Sequence, residues 1–536
     1  MLTEEHMPEV NHASGSNIYN TLAYFAVALF FANLVWSAIT PWPASNQYGH
    51  SGVHVLPAGR HFAEDGFIAC KFLPILQPGK LYPLPKEFYT HYPPLSDLLN
   101  GVLRKLGFTS LIAFRFPFII AATLAALFWF LFIKDLYNPK AAFFCLLFLV
   151  ILPEFYDGLI STYGFSLDQF CRFGAIYATY AYFNGKSENK RSSYIFLWLL
   201  MFFQSINTFE YTVYLQLFVW GYAFLFKRSE IKKLFGLLSA PALGLFLHLL
   251  QDIWAVGISH FINDLTVTFS KRAGIQGAGY FRVLPSSIKM FFWRMMPSLG
   301  LRSQNKMIFI VLVFTVLVSL HELLKNRQIN DFHRYALLFF VCDISWYLIF
   351  PSHAKVNMEI IKTSLPTLTL FAGMMFYVNV ERLQRYLNSR NYFFFIQSIT
   401  VVSLFMLLYS FNLLRLARNV RNYLTVPPME YKYRNLKDHV PEGAICFTNF
   451  GRDACFIGYY LDRRTYYRRS LTGLKKAMTY IREKPYFNKE KIYYVSFGSP
   501  RPELMKYLTV NAEPVYRYEQ ATIYKIRQLS RIADEH

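Results

Sequence analysis

The sequence predicts an all-α polytopic membrane domain of about eleven transmembrane helices, followed by a small C-terminal α/β domain. Three observations predict it. Of 536 residues, 54% are hydrophobic and 19% aromatic, more apolar surface than one soluble core would bury. Nearly charge-free stretches recur at Leu22–Trp36, Phe118–Ile133, Leu234–Leu250, Ile308–Leu320 and Phe393–Leu408, close to the roughly 20 residues that cross a ~30 Å hydrocarbon layer. Lys and Arg, which give a formal net charge of +22, gather between those stretches at Lys134–Lys140, Lys186–Arg191, Lys227–Lys233, Lys325–Arg334 and Arg382–Arg390. Short basic loops mark the cytoplasmic face, because positive charge resists translocation.

Placing those loops inside fixes the order of the elements. After a polar, partly acidic leader (1–17), the first helix runs outward over Ile18–Thr40; with no A-x-A cleavage site, it is expected to be retained. Residues 41–108 form a long outer loop, within which apolar positions at Val53–Phe62 and Leu95–Leu106 predict two surface helices. Helix two returns over Ser110–Ile133. Helices three and four (Ala141–Leu152, Leu167–Phe183) and five and six (Tyr194–Asn207, Tyr211–Phe226) form hairpins, and helix seven covers Leu234–Ala255. A second outer segment, 256–306, precedes helices eight to eleven at Met307–Leu323, Tyr335–Phe350, Ile360–Val378 and Phe393–Leu413. The odd count leaves residues 415–536 outside. There Ala444–Asn449, Ile492–Phe497 and Ala521–Ile526 read as strands and Leu471–Glu483 as a helix.

Several classes are excluded. No basic stripe carries interleaved stacking aromatics outside the spans, so nucleic acid is not the partner. None of the six Cys lies in a CxxC pair or at zinc-finger spacing from His. Cys446 and Cys455 would either bridge in an extracytoplasmic domain or remain buried thiols. No Walker or dinucleotide glycine pattern points to a nucleotide. No Asp-x-Asp pair indicates a metal, so no cofactor is expected, with a divalent ion left open.

Chemistry-bearing residues concentrate in the first outer loop: Gly49-His50-Ser51-Gly52-Val53-His54, Arg60-His61-Phe62-Ala63-Glu64-Asp65-Gly66-Phe67 and Tyr89-Thr90-His91-Tyr92-Pro93-Pro94-Leu95. Loops this long are usually functional. An Ala58-Gly59-Arg60 helix ends in a Gly66-Phe67 turn, and the Tyr-Thr-His-x-Pro-Pro-Leu segment follows. Ala113-Phe114-Arg115-Phe116-Pro117 then opens helix two, Leu152-Pro153 ends helix three, and Asp168 starts helix four. In that order and spacing the chain resembles the GT-C superfamily of polytopic glycosyltransferases, in particular its protein O-mannosyltransferase and lipid A aminoarabinose transferase branch.

The resemblance implies sugar transfer from a polyprenyl-phosphate donor to a cell-envelope glycan, lipid or protein, with inversion. The site would lie at the outer face of the plasma (inner) membrane. Such a reaction needs a carboxylate or base for the acceptor, cations for the departing phosphate, and a lipid-accessible groove. The family places a carboxylate early in the first outer loop, where this chain has Tyr48-Gly49-His50. His50, titrating near neutrality, is therefore one candidate base, and Glu64 with Asp65 the nearest carboxylate pair. Asp168 matches the family's second acidic position; an ionisable group at a helix end in the membrane is used or paired, the alternative here being a cap or a partner for Arg172. Glu210, at the outer turn between helices five and six, has the same double reading.

His91 and Tyr92, stiffened by the two prolines that follow, together with His54 and Arg60, are candidate substrate ligands. Phosphate candidates are Lys71, Arg115, the Lys271-Arg272 pair that stands outside against the positive-inside trend, and Lys355 after His353. Each has a rival reading as an interfacial anchor. Two other functions compete: a transporter or flippase of lipid-linked saccharides, and a non-catalytic envelope-assembly subunit. Transporters keep loops short and polar groups at mid-membrane, whereas here the polar groups lie at one face.

Overall fold

A computed structural model describes residues 13–39, 47–75, 88–108, 110–152, 155, 164–185, 187–275, 279–298, 331–356, 358–386, 417, 435–449, 457–458, 461, 463–483, 491–518 and 521–527. Predicted helices eight and eleven, and Cys455, lie outside the described residues. The helical part comprises α1 (Ala13–Ile39), α2 (Gln47–Glu64), α3 (Leu95–Lys105), α4 (Leu111–Leu136), α5 (Pro139–Ile151), α6 (Phe165–Asn184) and α7 (Ser187–Ser205). It continues with α8 (Phe209–Phe226), α9 (Ser239–Val256), α10 (Ile258–Ala273), α11 (Tyr280–Ser298), α12 (Asp331–Ile349), α13 (Pro351–Val356) and α14 (Leu365–Tyr386).

Among the described residues, four helical stretches are long and apolar enough to cross a membrane: Asn17–Ala38, Leu111–Leu136, Arg228–Val256 and Asp331–Ile349. α5 is shorter but equally apolar. Helix starts follow local chemistry. Ser110 Oγ accepts from Ala113 N at 3.4 Å, and Asn138 Oδ1 accepts from Ala141 N at 2.8 Å with Pro139 opening α5. Small residues bring the helices close: a Cβ at Gly373 on α14 would lie 2.6 Å from Cys145 Cα on α5. Trp129 of α4 fills the middle of the bundle, with ring centres 5.2 Å from Phe173 and 5.9 Å from Phe339.

Both predicted surface helices of the first loop are present, as α2 and α3. They pack through Gly101, where a Cβ would fall 2.6 Å from Phe62 Cβ. Two expected boundaries are corrected. Helix seven starts at Ser239 after a 3₁₀ segment, Arg228–Leu238, and helix ten at Leu365 after another, Met358–Ser364. The second outer segment is not a plain loop but carries α10 and α11, whose Ile258, Ile262, Leu265, Phe269 and Phe281 are exposed.

The C-terminal part is a five-stranded sheet in the order β2-β1-β3-β5-β4, formed by β1 (Ile445–Thr448), β2 (Arg464–Tyr467), β3 (Ile492–Phe497), β4 (Ala512–Tyr518) and β5 (Ala521–Ile526). β1 is parallel to β2 and β3; β5 is antiparallel to β3 and β4. The period of two along each strand divides the side chains between two cores. Ile445, Phe447, Ile492 and Tyr494 face α15 (Leu471–Glu483) and α16 (Pro502–Asn511). Cys446, Tyr493, Val495 and Ile523 share the other core with Leu56 of α2 and Phe114 of α4. The sheet therefore docks on the first-loop helices.

Candidate functional site

The proline pair predicted to stiffen the Tyr89–Leu95 segment delivers it onto the turn between α7 and α8. Leu95 N donates to Ile206 O at 3.1 Å. That turn carries the polar run Gln204, Asn207, Thr208 and Glu210 at the end of an apolar helix, and each of these side chains is buried. Asp168, fully buried in the first turn of α6, is the acceptor they share. Gln204 Nε2, Asn207 Nδ2 and Thr208 Oγ1 each donate to its Oδ1 at 2.7 Å. Its Oδ2 has no hydrogen-bond partner among the described residues.

The expected Asp168–Arg172 alternative is corrected. One helical turn on, Arg172 points its fork elsewhere, donating through Nη1 to Thr363 O at 2.8 Å, and through Nη2 to Lys362 O at 2.7 Å and to Gln169 Oε1. Its guanidinium lies about equally far from the rings of Phe173, Tyr211 and Tyr214. Planar guanidinium on aromatic faces is how such a charge is kept inside apolar packing.

Beside Asp168 lies a second network. Tyr92 Oη donates to Glu210 Oε1 at 2.7 Å and is 3.3 Å from His353 Nε2. Trp346 Nε1 donates to His353 Nδ1 at 3.1 Å. An indole only donates, so Nδ1 accepts and the proton of neutral His353 is on Nε2, directed at the phenol. Burial holds the His353 imidazole below its ordinary pKa, with Arg272 lowering it further and Glu210 opposing. Arg272 Cζ lies 4.9 Å from the centre of the Tyr92 ring.

Arg272 reaches that ring because α10 runs along the same loop segment. Eight residues earlier on one helical face, Asp264 Oδ2 accepts from Thr90 Oγ1 at 3.0 Å and lies 3.7 Å from His91 Nδ1. Loop one and the second outer segment are thus joined by residue-to-residue contacts.

Other predicted residues fall elsewhere. His50 and His54 are on α2, with side chains outside the described residues. Arg60 and Glu64 form an i, i+4 pair at 4.0 Å, and Asp65 Oδ2 is 3.2 Å from His61 Nδ1, so both carboxylates serve the end of α2. Lys71 donates to Trp254 O at 2.8 Å and Ala255 O at 3.3 Å at the end of α9. Its backbone has a left-handed φ of 55°, followed by Phe72 at 56°. Arg115, buried, donates to Ala38 O at 2.7 Å near the end of α1. Lys271 and Lys355 are exposed.

Sequence reading did not single out Gln204, Asn207, Thr208, Trp346, Asp264, buried Lys362 (Nζ 3.7 Å from the centre of the Phe165 ring) or Asp97. The available signal for the first three was a polar cluster closing the apolar run before it. Asp97, in the first turn of α3, neighbours Tyr89 electrostatically, and burial pushes its carboxyl up to about 7. A folded pKa above the unfolded one means that the folded state holds the proton longer. This stability is present below about pH 4 and is lost as pH rises through about 7. Asp97→Asn is expected to flatten that decline, melting like the wild type at pH 4 and at higher temperature at pH 8.

No family model and no curated protein matches the sequence. Solved structures do. ArnT from Cupriavidus metallidurans bound to undecaprenyl phosphate is similar over 95% of this chain and 98% of its own, with TM-score 0.57 and 13% identity. The apo oligosaccharyltransferase of Archaeoglobus fulgidus matches over 89% of this chain and 69% of its own, with TM-score 0.51 and 13% identity. So does archaeal AglB from the same organism in complex with an inhibitory peptide and a dolichol-phosphate, over 90% and 69%, with TM-score 0.51 and 13% identity. At such identity the likeness establishes the fold.

Proposed function

We propose that this chain, which has the GT-C membrane fold, is a glycosyltransferase that moves a hexose or pentose from a polyprenyl-phosphate donor to a hydroxyl or amine of a cell-envelope glycan, lipid or protein, with inversion. The observation that carries this is the meeting of Asp168, Glu210, Tyr92, His353 and Arg272, from five separate segments, at the end of the helical domain where α2, α3 and the sheet also pack. In this reading that end is extracytoplasmic, and the domain spans the plasma membrane about eleven times with its basic loops inside.

The reaction divides the roles. The acceptor attacks the anomeric carbon from the face opposite the phosphate, and the C–O bond to phosphate breaks. Charge then gathers on the leaving phosphate, where Arg272, 4.9 Å from the centre of the Tyr92 ring, supplies a delocalised cation and N–H donors. The buried carboxylates order the acceptor side. Two of the structural neighbours hold undecaprenyl phosphate or dolichol-phosphate, which supports a lipid-phosphate donor.

Mass analysis of envelope glycans and lipid-linked sugars in a deletion strain tests it. The expected result is loss of one sugar modification with accumulation of its polyprenyl-phosphate donor, and undecaprenyl phosphate raising the melting temperature of the purified protein. Unchanged glycans and unchanged lipid-linked sugars would refute the reading. Donor accumulating only on the cytoplasmic leaflet would instead mark a flippase.

A further inference from the structure

Resting on that reading, we propose that Glu210 is the base that takes the acceptor's proton, with Tyr92 and His353 as the positioning residues that aim its carboxylate. The stretch Tyr48–Gly52 of the first outer loop has no carboxylate where the family resemblance expects one, and Glu64 and Asp65 contact Arg60 and His61 at the end of α2. Glu210 supplies a carboxylate from another of the segments that meet at Tyr92.

Its two oxygens are unequal. Oε1 accepts from Tyr92 Oη at 2.7 Å and lies 4.0 Å from His353 Nδ1. Oε2 is buried and has no hydrogen-bond partner among the described residues, in a residue only 7% exposed. A buried carboxylate oxygen without a donor is costly, and such groups persist where a ligand completes them. Asp168 also has one unpartnered oxygen, but its other takes three donors from the α7–α8 turn, the arrangement of a hub that holds two helices together. Glu210 has one committed hydrogen bond, and it comes from a directional chain: Trp346 Nε1–H to His353 Nδ1, His353 Nε2–H to Tyr92 Oη, Tyr92 O–H to Glu210 Oε1. Each donor in that chain has an acceptor in it, and the chain ends on Oε1, which orients the carboxylate and leaves Oε2 as its unpartnered oxygen.

The charged and titratable groups around Glu210 are Tyr89 and Tyr92 from the first loop, Asp168 from α6, Tyr211 from α8 itself, Arg272 and His353. Arg272 Cζ lies 4.9 Å from the centre of the ring whose hydroxyl donates to Glu210, so base and phosphate ligand both neighbour Tyr92. In the step, the acceptor O–H proton passes to Glu210 Oε2 as the acceptor oxygen's pair forms the bond to the anomeric carbon. The carbon–oxygen bond to phosphate breaks with its pair remaining on the phosphate oxygen, and Glu210 later returns the proton to solvent.

The test uses full-length protein in membranes of the complemented deletion strain, with formation of the glycan product identified there followed against pH, and undecaprenyl phosphate as the binding probe for purified variants. Glu210→Gln is expected to lower the rate on the order of 10²-fold or more, to abolish the acid limb of the pH profile, and to leave stabilisation by undecaprenyl phosphate unchanged. Glu210→Asp is expected to recover part of the rate. Tyr92→Phe is expected to lose about 10-fold in kcat with the acid limb displaced. If Glu210→Gln does not accumulate in membranes, Glu210→Asp and Tyr92→Phe carry the same readout. A Glu210→Gln rate within about threefold of wild type, or an unchanged acid limb in Glu210→Asp and Tyr92→Phe, would overturn the assignment while leaving the glycosyltransferase reading intact. Absence of both product and undecaprenyl phosphate stabilisation in the wild type would remove the reading and the assignment together.

Discussion

Asp168→Asn is expected to lose sugar transfer on the order of 10²- to 10³-fold while reaching normal levels in the membrane. The amide keeps the shape of the side chain and an oxygen for Gln204, Asn207 and Thr208, so α6 stays tied to the α7–α8 turn. It removes the negative charge and turns an NH₂ toward the site in place of Oδ2. Asp168→Ala separates the two functions of the residue, because it leaves three donors without their acceptor at about 1–3 kcal/mol for each unsatisfied group. Its melting temperature should therefore fall well below that of the Asn variant. Envelope product measured beside immunoblot level and melting temperature checks both. Product unchanged in Asp168→Asn at normal protein level would take the Asp168 charge out of the chemistry.

Arg172→Met is expected to be strongly destabilising, at about 1–3 kcal/mol for each buried acceptor it leaves unsatisfied. Its fork satisfies two backbone carbonyls at 362 and 363, immediately before α14, as well as Gln169. Removing it strands these acceptors in apolar surroundings and leaves Tyr211 and Tyr214 without the cation beside their rings. Lys cannot reproduce a planar, bidentate donor, so Arg172→Lys should not restore the wild-type melt in detergent. A melting temperature within a few degrees of wild type for Arg172→Met would show that the carbonyls find other donors.

How much of this was legible in the chain differs by element. Inner strands β1, β3 and β5 were placed within one or two residues, because strands paired on both sides are apolar and stand out. β2 and β4 were missed. Both are edges of the sheet, where one side is unpaired and polar residues are tolerated: β2 contains Arg464 and Thr465, and β4 contains Pro514 beside a register shift. The surface helices α2 and α3 announced themselves through apolar spacing. α10 and α11 did not, since an amphipathic helix beside a membrane gives no span-length hydropathy and their charges masked the period.

A run of motifs in the first third of the chain pointed to a polytopic helical fold, and the chain shares the fold of ArnT from Cupriavidus metallidurans over 95% of its length. The candidate site was legible only as a roster. Tyr92, Glu210, His353, Arg272 and Asp168 were all named, yet nothing in the sequence joined Tyr92 to residues 118 and 261 positions away, or separated them from Arg60, Lys71 and Arg115.

What the sequence determined by itself is what short-range physics encodes: apolar length sets which segments can sit in lipid, basic loops bias their direction, and periods of 3.6 and 2 set helix and strand faces. Which polar groups meet is set by packing. A hydrogen bond requires its atoms within about 3 Å, and that proximity is set by the packing of five distant segments rather than by spacing along the chain.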